Sequence, residues 1–471
     1  MNRLPIFLSL TNALLVSFAA PPAANEPKSA DKPNIVFVLF DDLGWCQPPS
    51  YWEHTQFKMP NLDRLVHEGM RFTDAHSASA VCTPTRYGVI TGRYPWRIGQ
   101  FGVLTTYSPP IIPRDRLTIA SLLKQHGYRT ACVGKWHLGM DWECGKPGTE
   151  KSVPVGAKIN NGPNALGFDY FCGFTHARNI GTVIEQDTVV ANVAPEENQP
   201  LMIQKALAWI EQQAAAGQPF FLYFPMCPPH EPVVPSSEYI GKSGAKDTVR
   251  GDPKYGDWIY QGDAMLGQIL DALERHKLAE NTLLIAASDN GAEQRPYPPL
   301  RESKRSIYEG GHRVPFVARW PGKIKPGSVN NNTICLNDLM ATAAEILGVR
   351  LPDNAAEDSV SILPELLGKA NGPAREATVH QSMAGDLAIR QGPWKLIFFT
   401  DGRRELYNLE SDLPETNDLA GRNPQVVERL TKLMQRYIDQ GRSTPGAPQK
   451  NGAPVSLSGS PVRKRKATSQ N

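Results

Sequence analysis

The chain has 471 residues, of which 41% are hydrophobic and 21% are charged. This is the composition of a soluble globular protein with a large core, and the length favours one large domain with a smaller companion. The formal net charge of +3 is too small to indicate a nucleic-acid partner.

The first residues have the pattern of a secretory signal peptide, which we place at residues 1–24. Arg3 supplies a positive charge, residues 4–18 are mostly apolar, and Ala20 and Ala24 mark cleavage sites. The apolar stretch is shorter than the roughly 20 residues of a membrane span, and no other segment is long and apolar enough. We therefore predict an exported protein, periplasmic or secreted, without a membrane span.

Strand and helix patterns alternate from residue 32 onwards. The predicted strands are continuous apolar runs at 32–40, 129–133, 220–224 and 282–287. Helices are predicted at 61–68, from Cys82, and at 117–126, 201–216, 260–278 and 336–347. This alternation predicts an α/β fold with a mostly parallel sheet covered by helices on both faces.

Polar side chains follow each of the four predicted strands. In chain order they are Asp41 and Asp42, Lys135 and His137, His230, and Asp289 and Asn290. Open α/β sheets bind ligands beyond the carboxyl ends of their strands. Because four strands share this feature, we expect these side chains to meet in one active site.

Cys82-Thr-Pro-Thr-Arg86 lies at the start of a predicted helix. Pro84 suits the first helical position, because its missing N–H would have no helical partner there. The free N–H groups of a helix N-terminus favour negative charge near Cys82, and Arg86 lies one turn further on the same face. Taken alone, the motif is also that of a buried structural cysteine.

Cys82-Thr-Pro-Thr-Arg86 and the following Tyr87-Gly-Val-Ile-Thr-Gly-Arg93 resemble the signature of the formylglycine-dependent (type I) sulfatases. The resemblance covers most of the chain from about Asn34 and is closest to the arylsulfatase A and N-acetylgalactosamine-6-sulfatase branch. It implies an alkaline-phosphatase-like sandwich, with a large mostly parallel sheet between helices. It also implies hydrolysis of a sulfated carbohydrate or aryl sulfate ester, with Cys82 oxidised to formylglycine by a sulfatase-maturing enzyme.

The resemblance further implies a metal site and a set of catalytic roles. The metal ligands would be Asp41, Asp42, Asp289, Asn290 and the modified Cys82. Oxygen ligands of this kind suit Ca²⁺, with Mg²⁺ less favoured and zinc disfavoured. By matched motif, Arg86 would stabilise the hydrated aldehyde, and Lys135 and Lys304 would bind sulfate. His137 would act as base. His230 would protonate the leaving alcohol, with Lys304 as a helper.

One departure limits what the resemblance implies about the substrate. Many relatives continue Asp-Asp-Leu-Gly-Tyr-Gly-Asp, whereas this chain has Asp-Asp-Leu-Gly-Trp45-Cys-Gln-Pro-Pro. Residues 175–187 and 292–301 are candidates to line the pocket, while Glu309-Gly-Gly-His-Arg313 is assigned no chemistry. Two alternatives stay open: a phosphatase or phosphodiesterase of the same superfamily, and a non-catalytic glycan-binding relative.

The C-terminal part has a different pattern. Residues 25–370 are predicted as the catalytic domain, and 371–442 as a small subdomain with an antiparallel sheet of strands at 377–381, 387–390, 394–399 and 405–408 and a closing helix at 424–440. Residues 443–471 are rich in Pro, Gly, Ser, Lys and Arg, which predicts a disordered basic tail. Cys144 and Cys172 are a possible disulfide pair that spacing alone does not establish.

Overall fold

The computed structural model of the chain describes residues 32–246, 252–293 and 297–457. The predicted signal peptide and residues 458–471 of the predicted basic tail lie outside these ranges. In chain order the strands are β1 Asn34–Asp41, β2 Met70–Phe72, β3 Ala75–His76, β4 Arg129–Lys135, β5 Asp141–Trp142, β6 Ile159–Asn161, β7 Tyr170–Phe174, β8 Thr182–Glu185, β9 Thr188–Asn192, β10 Phe220–Pro229, β11 Thr282–Ser288, β12 Phe316–Arg319, β13 Ser328–Asn330, β14 Ile334–Cys335, β15 Thr378–Gln381, β16 Leu387–Gln391, β17 Trp394–Phe398 and β18 Arg404–Asn408. The helices are α1 Pro60–Glu68, α2 Cys82–Thr91, α3 Ile119–Gln125, α4 Pro195–Ala216, α5 Tyr255–Arg275, α6 Glu309–His312, α7 Leu339–Leu347, α8 Leu363–Leu366 and α9 Pro424–Gln440.

A ten-stranded sheet forms the centre of the molecule, in the order β13-β2-β12-β11-β1-β10-β4-β7-β8-β9. Its adjacent strands β11, β1, β10 and β4 are parallel, and they are the four strands predicted from the sequence. All eight residues of β1 are buried, because Phe37 and its alternate neighbours pack into one core and Val38 and its neighbours into the other. The predicted α/β fold, with a mostly parallel sheet between two layers, is confirmed.

Several helices begin earlier than predicted. α4 begins at Pro195, six residues before the predicted start, and contains Pro200; α5 begins at Tyr255. Proline is unfavourable inside a helix, but here tertiary contacts hold the first turns, since Gln199 Oε1 accepts a 3.1 Å hydrogen bond from the Cys227 N–H. In α2, Pro84 is the third residue and not the first, which is still within the turn whose N–H groups have no helical partner.

The predicted C-terminal antiparallel sheet is confirmed, with strand order β15-β16-β17-β18 and α9 packed against it. Tyr94 and Trp96 of the large domain pack into the same core. Arg375, near the start of the predicted subdomain, is buried and lies 3.1 Å from the Asp338 carboxylate. The subdomain is therefore fixed to the large domain by apolar and ionic contacts, and the boundary at residue 370 stays a prediction.

The prediction of a disordered tail is wrong for residues 443–457. The Gly452 N–H donates to the Arg97 carbonyl at 2.7 Å, and Arg97 Nη1 donates to Asn451 Oδ1 at 2.9 Å. Arg97 is itself held by the Asp358 carboxylate at 2.7 Å. Composition alone indicates disorder because the segment buries few apolar side chains, but hydrogen bonds to a rigid part of the fold hold its backbone in place.

Two further expectations can be compared with the described chain. Cys144 is exposed and Cys172 is buried, and both are free thiols, so the possible disulfide between them is not formed. Within the described ranges, the helices are too short or too polar to span a bilayer.

Candidate active site

Three aspartates meet at the carboxyl ends of β1 and β11. Asp41, Asp42 and Asp289 are fully buried, and their ligand oxygens lie within 4.8 Å of one another. The two strands are adjacent and parallel, so their ends lie side by side. Asp42 adopts a left-handed backbone conformation with φ 71°, and its N–H donates to Asp289 Oδ1 at 3.1 Å. The strand ends therefore hold the three carboxylates as one cluster.

This cluster fits a hard divalent cation. Asn290 Nδ2 donates to Asp42 Oδ1 at 2.7 Å, but the buried Asn290 Oδ1 and Asp41 Oδ1 accept no hydrogen bond from the described residues. A buried acceptor left unsatisfied costs about 1–3 kcal/mol, and a cation would satisfy both atoms. Burial and the neighbouring Asp41 carboxylate raise the pKa of Asp289 to about 7. An oxygen-only donor set of this kind suits Ca²⁺ or Mg²⁺.

Cys82 is the first residue of α2 and faces the aspartates. It is buried, and its Sγ lies within 4.8 Å of ligand atoms of Asp41 and His230. Arg86, one turn further, binds Asp289 Oδ2 through Nε at 3.1 Å and Nη2 at 2.7 Å. Burial raises the pKa of the Cys82 thiol, so the thiolate that cysteine chemistry requires is disfavoured.

Two lysines extend to the same carboxylates. Lys135 Nζ contacts Asp41 Oδ2, and Lys304 Nζ lies 2.6 Å from Asp42 Oδ2. Together with Arg86, the two lysines carry three positive charges, which balance the three negative charges of the aspartates. A bound divalent cation would leave two positive charges at the base of the site, which suits an anionic substrate.

His137 has a defined tautomer. Its Nε2 lies 3.0 Å from the Leu104 carbonyl oxygen, and because a carbonyl only accepts, Nε2 carries the proton. Nδ1 therefore holds the lone pair, and it has no hydrogen-bond partner among the described residues. Thr83 Oγ1 donates to the His137 carbonyl at 3.1 Å, which ties this loop to α2. Burial, followed by the charge of Lys135, lowers the pKa of His137 well below its ordinary value.

His230 has the opposite arrangement. Its Nδ1 contacts the Glu231 carbonyl oxygen, so Nε2 is the nitrogen directed to the site, 3.6 Å from Asp42 Oδ2. Burial, followed by the charge of Lys304, lowers the pKa of His230 to about 4. The imidazole is therefore neutral near pH 7 and carries a lone pair on Nε2.

A cleft of about 1060 Å³ is lined by Cys82, Lys135, His137, His230 and Lys304. The two stretches singled out as pocket-lining contribute to it: His176 and Arg178 come from the first, and Glu293 comes from the second. The His176 ring stacks on His137, with centroids 5.6 Å apart. His176 comes two residues after the end of β7, a strand that is not among those predicted. Met383 comes two residues after the end of β15, and it reaches the cleft because the C-terminal subdomain packs against the large domain.

Comparison with known proteins gives consistent matches over most of the chain. Residues 33–349 match the family model described as Sulfatase, and residues 302–443 match the one described as N-sulphoglucosamine sulphohydrolase, C-terminal. An N-acetylgalactosamine-6-O-sulfatase of Bacteroides thetaiotaomicron is 30% identical over 90% of this chain and 96% of its own length. Arylsulfatase A of Homo sapiens is 31% identical over 89% of this chain and 90% of its own length.

A solved structure also matches. It comes from work on the metabolism of multiple glycosaminoglycans by Bacteroides thetaiotaomicron, and it superimposes with a TM-score of 0.78 at 30% identity, covering 86% of this chain and 99% of that chain. The aspartate cluster, Cys82, the two lysines and both histidines all lie within the first matched range.

Proposed function

This chain belongs to the sulfatase family and is a sulfuric ester hydrolase; we propose that it hydrolyses sugar sulfate esters with an aldehyde made from Cys82 and a bound calcium ion. The observation that carries the proposal is the position of Cys82 Sγ, within 4.8 Å of both Asp41 and His230. A modified side chain at this position would lie next to the carboxylates and to a proton-transfer group. We also propose that a sulfatase-maturing enzyme oxidises Cys82 and that the protein is exported.

Asp41, Asp42, Asp289 and Asn290 would hold the calcium ion. Bound there, the ion supplies positive charge that polarises a sulfate oxygen and favours ionisation of a neighbouring hydroxyl. The unsatisfied oxygens of Asp41 and Asn290 support this assignment. Mg²⁺ has the same ligand preference and is the second choice.

The cationic side chains would bind the sulfate group. Lys135 and Lys304 line the cleft, and each would donate to a sulfate oxygen. Arg86 is held by its two bonds to Asp289, so its charge stays next to Cys82 without reorganisation.

The two histidines would transfer protons at different stages. The low pKa of His137 keeps its imidazole neutral, and Nδ1 has a lone pair without a hydrogen-bond partner among the described residues. Nδ1 would therefore accept a proton, as a general base does. His230 is neutral in the free protein, but a sulfate anion bound beside it would favour the imidazolium form and raise its pKa. It would then donate from Nε2 to the leaving alcohol, with Lys304 as the helper.

The names of relatives indicate which substrate to test first. Three of them are called N-acetylgalactosamine-6-sulfatase or N-acetylgalactosamine-6-O-sulfatase. We therefore propose a sulfated hexose or N-acetylhexosamine as substrate, with 6-sulfated N-acetylgalactosamine as the first candidate.

The test is production of the protein with and without a sulfatase-maturing enzyme. We expect the matured protein to show the thiol-to-aldehyde mass change in the Cys82 peptide and to hydrolyse nitrophenyl sulfate and a sugar sulfate. Cys82→Ala should fold and be inactive, and the active protein should contain calcium. Full activity in Cys82→Ala contradicts the mechanism, and stoichiometric zinc with hydrolysis of phosphate esters favours the phosphatase alternative.

A further inference from the structure

One carboxylate in the cleft wall binds two cations of the part of the chain that the structure describes. Glu293 Oε2 lies 3.0 Å from Lys304 Nζ, and the same carboxylate accepts from Arg305 Nη1 at 2.6 Å and Nη2 at 3.1 Å. The Glu293 side chain is 4% exposed, whereas that of Arg305 is 45% exposed. Lys304 therefore extends inward to Asp42, while Arg305 is held at the mouth of the cleft.

The backbone at Arg305 is strained and tightly held. Its φ is 81°, a left-handed conformation that is unfavourable for a non-glycine residue. Its N–H donates to the Ala80 carbonyl at 2.8 Å, and its carbonyl accepts from the Met383 N–H at 3.0 Å. Successive side chains of an extended chain point to opposite sides, so this turn is what lets Lys304 and Arg305 reach the same carboxylate.

We propose that Glu293 is a positioning residue that couples the sulfate-binding Lys304 to Arg305, a residue that binds the sugar carrying the sulfate. This inference rests on the proposed function. Arginine has five N–H donors, of which two are used in the bond to Glu293, and the remaining three donate to no described residue. Because its charge is balanced by Glu293, Arg305 suits neutral acceptors of a saccharide: hydroxyl, ring or N-acetyl carbonyl oxygens.

The two cations would then contact different parts of the substrate. Lys304 acts on the sulfate group, which every substrate has, whereas Arg305 contacts only the sugar. Nitrophenyl sulfate lacks the sugar oxygens, so it reports on Lys304 and not on the contacts of Arg305. Loss of one hydrogen bond to a charged group corresponds to about a 10-fold to 100-fold change.

The experiment uses the matured protein, nitrophenyl sulfate, and the fastest substrate among a panel of hexose and N-acetylhexosamine sulfates. Arg305→Ala should lower kcat/KM for the sugar sulfate, mainly through KM, at least tenfold more than for nitrophenyl sulfate. Glu293→Gln should raise KM for the sugar sulfate and also lower kcat on both substrates, because Lys304 loses its second partner. In the double variant, the rise in KM should be no larger than in Arg305→Ala alone.

Arg403→Ala is the matched control. Arg403 is an exposed arginine that is also paired with carboxylates, but it does not line the cleft. Its substitution should leave both activities unchanged. Thermal unfolding of each variant separates loss of fold from loss of contact. Three results would overturn the inference. The first is an equal loss on both substrates for Arg305→Ala, and the second is a rise in KM in the double variant that equals the combined effects of the two single variants. The third is a wild-type protein that hydrolyses nitrophenyl sulfate but none of the sugar sulfates. A matured wild-type protein that hydrolyses neither kind of ester would instead overturn the proposed function.

Discussion

At the scale of single residues, the two cleft histidines differ in which nitrogen is free. His137 keeps its proton on Nε2 through the Leu104 carbonyl, and His230 keeps its own on Nδ1 through the Glu231 carbonyl. A main-chain carbonyl thus sets each tautomer, and no sequence motif contains that information. The difference gives the two side chains separate functions in the proposed reaction.

Substitution of each histidine should therefore affect substrates differently. A sugar hydroxyl needs a proton to leave, whereas nitrophenolate is stable as an anion, and general acid catalysis contributes about 10²–10⁴-fold. His230→Ala should be strongly impaired on a sugar sulfate and much less on nitrophenyl sulfate. His137→Ala should be slow on both substrates, and covalently bound sulfate should accumulate on the protein, as measured by intact-protein mass spectrometry. Equal losses for His230→Ala, with no bound sulfate in His137→Ala, would show that the roles are wrongly assigned.

At the scale of elements, β4 and β10 approach so closely that glycine is required before Lys135. Gly134 has φ 128°, and a Cβ added there would lie 2.2 Å from the Pro225 carbonyl oxygen. No side chain fits at that distance. The close approach brings the end of β4, and with it Lys135, next to the end of β10.

Gly134→Ala should thus destabilise the protein by about 2 kcal/mol or more, since left-handed strain adds to the overlap with β10. Gly217→Ala is the matched control, because Gly217 also has a positive φ of 63° but no atom within 4 Å of an added Cβ. It should cost only about 1 kcal/mol. Urea unfolding of both variants measures the difference, and equal losses would show that the approach of the two strands is not the cause.

At the scale of the whole molecule, a buried histidine cluster joins the large domain to the C-terminal sheet. His76 Nδ1 lies 3.1 Å from His312 Nδ1, and the rings of His312 and His380 stack with centroids 4.0 Å apart. Burial lowers the pKa of all three. The charged groups around them balance one another: Asp74, Glu309 and Glu415 against Arg313, Arg390 and Lys395. The cluster is therefore stable with neutral imidazoles.

The free energy of unfolding should consequently fall as the pH drops below about 6.5, the ordinary histidine pKa. Below that value the unfolded chain binds protons that the folded cluster does not, and each such proton changes the free energy by about 1.4 kcal/mol per pH unit. His380→Gln should reduce this slope between pH 6.5 and 5, as measured by urea unfolding. His54→Gln, at an exposed histidine, should leave the slope unchanged; an unchanged slope in His380→Gln would contradict the prediction.

Sequence patterns were enough to predict the fold class, the four central strands and the polar residues at their ends. These features are local in the sequence. A strand that is buried on both faces is a continuous apolar run, and its carboxyl end lies at a polar residue such as Asp41, Lys135 or Asp289. The motif that begins at Cys82 likewise identified the family, and the comparisons confirmed that identification. The roles assigned to the individual site residues stay predictions.

The partners of these residues, in contrast, follow from the three-dimensional fold. The path of the loops above the sheet brings Glu293 to Arg305 and His137 to the Leu104 carbonyl. His76, His312 and His380 meet although more than 300 positions separate the first from the last. The order of residues 443–457 depends in the same way on Arg97, far away in the chain. Hydrogen bonds and charge pairing act at distances of about 3 Å in space, and a one-dimensional pattern contains no such distances.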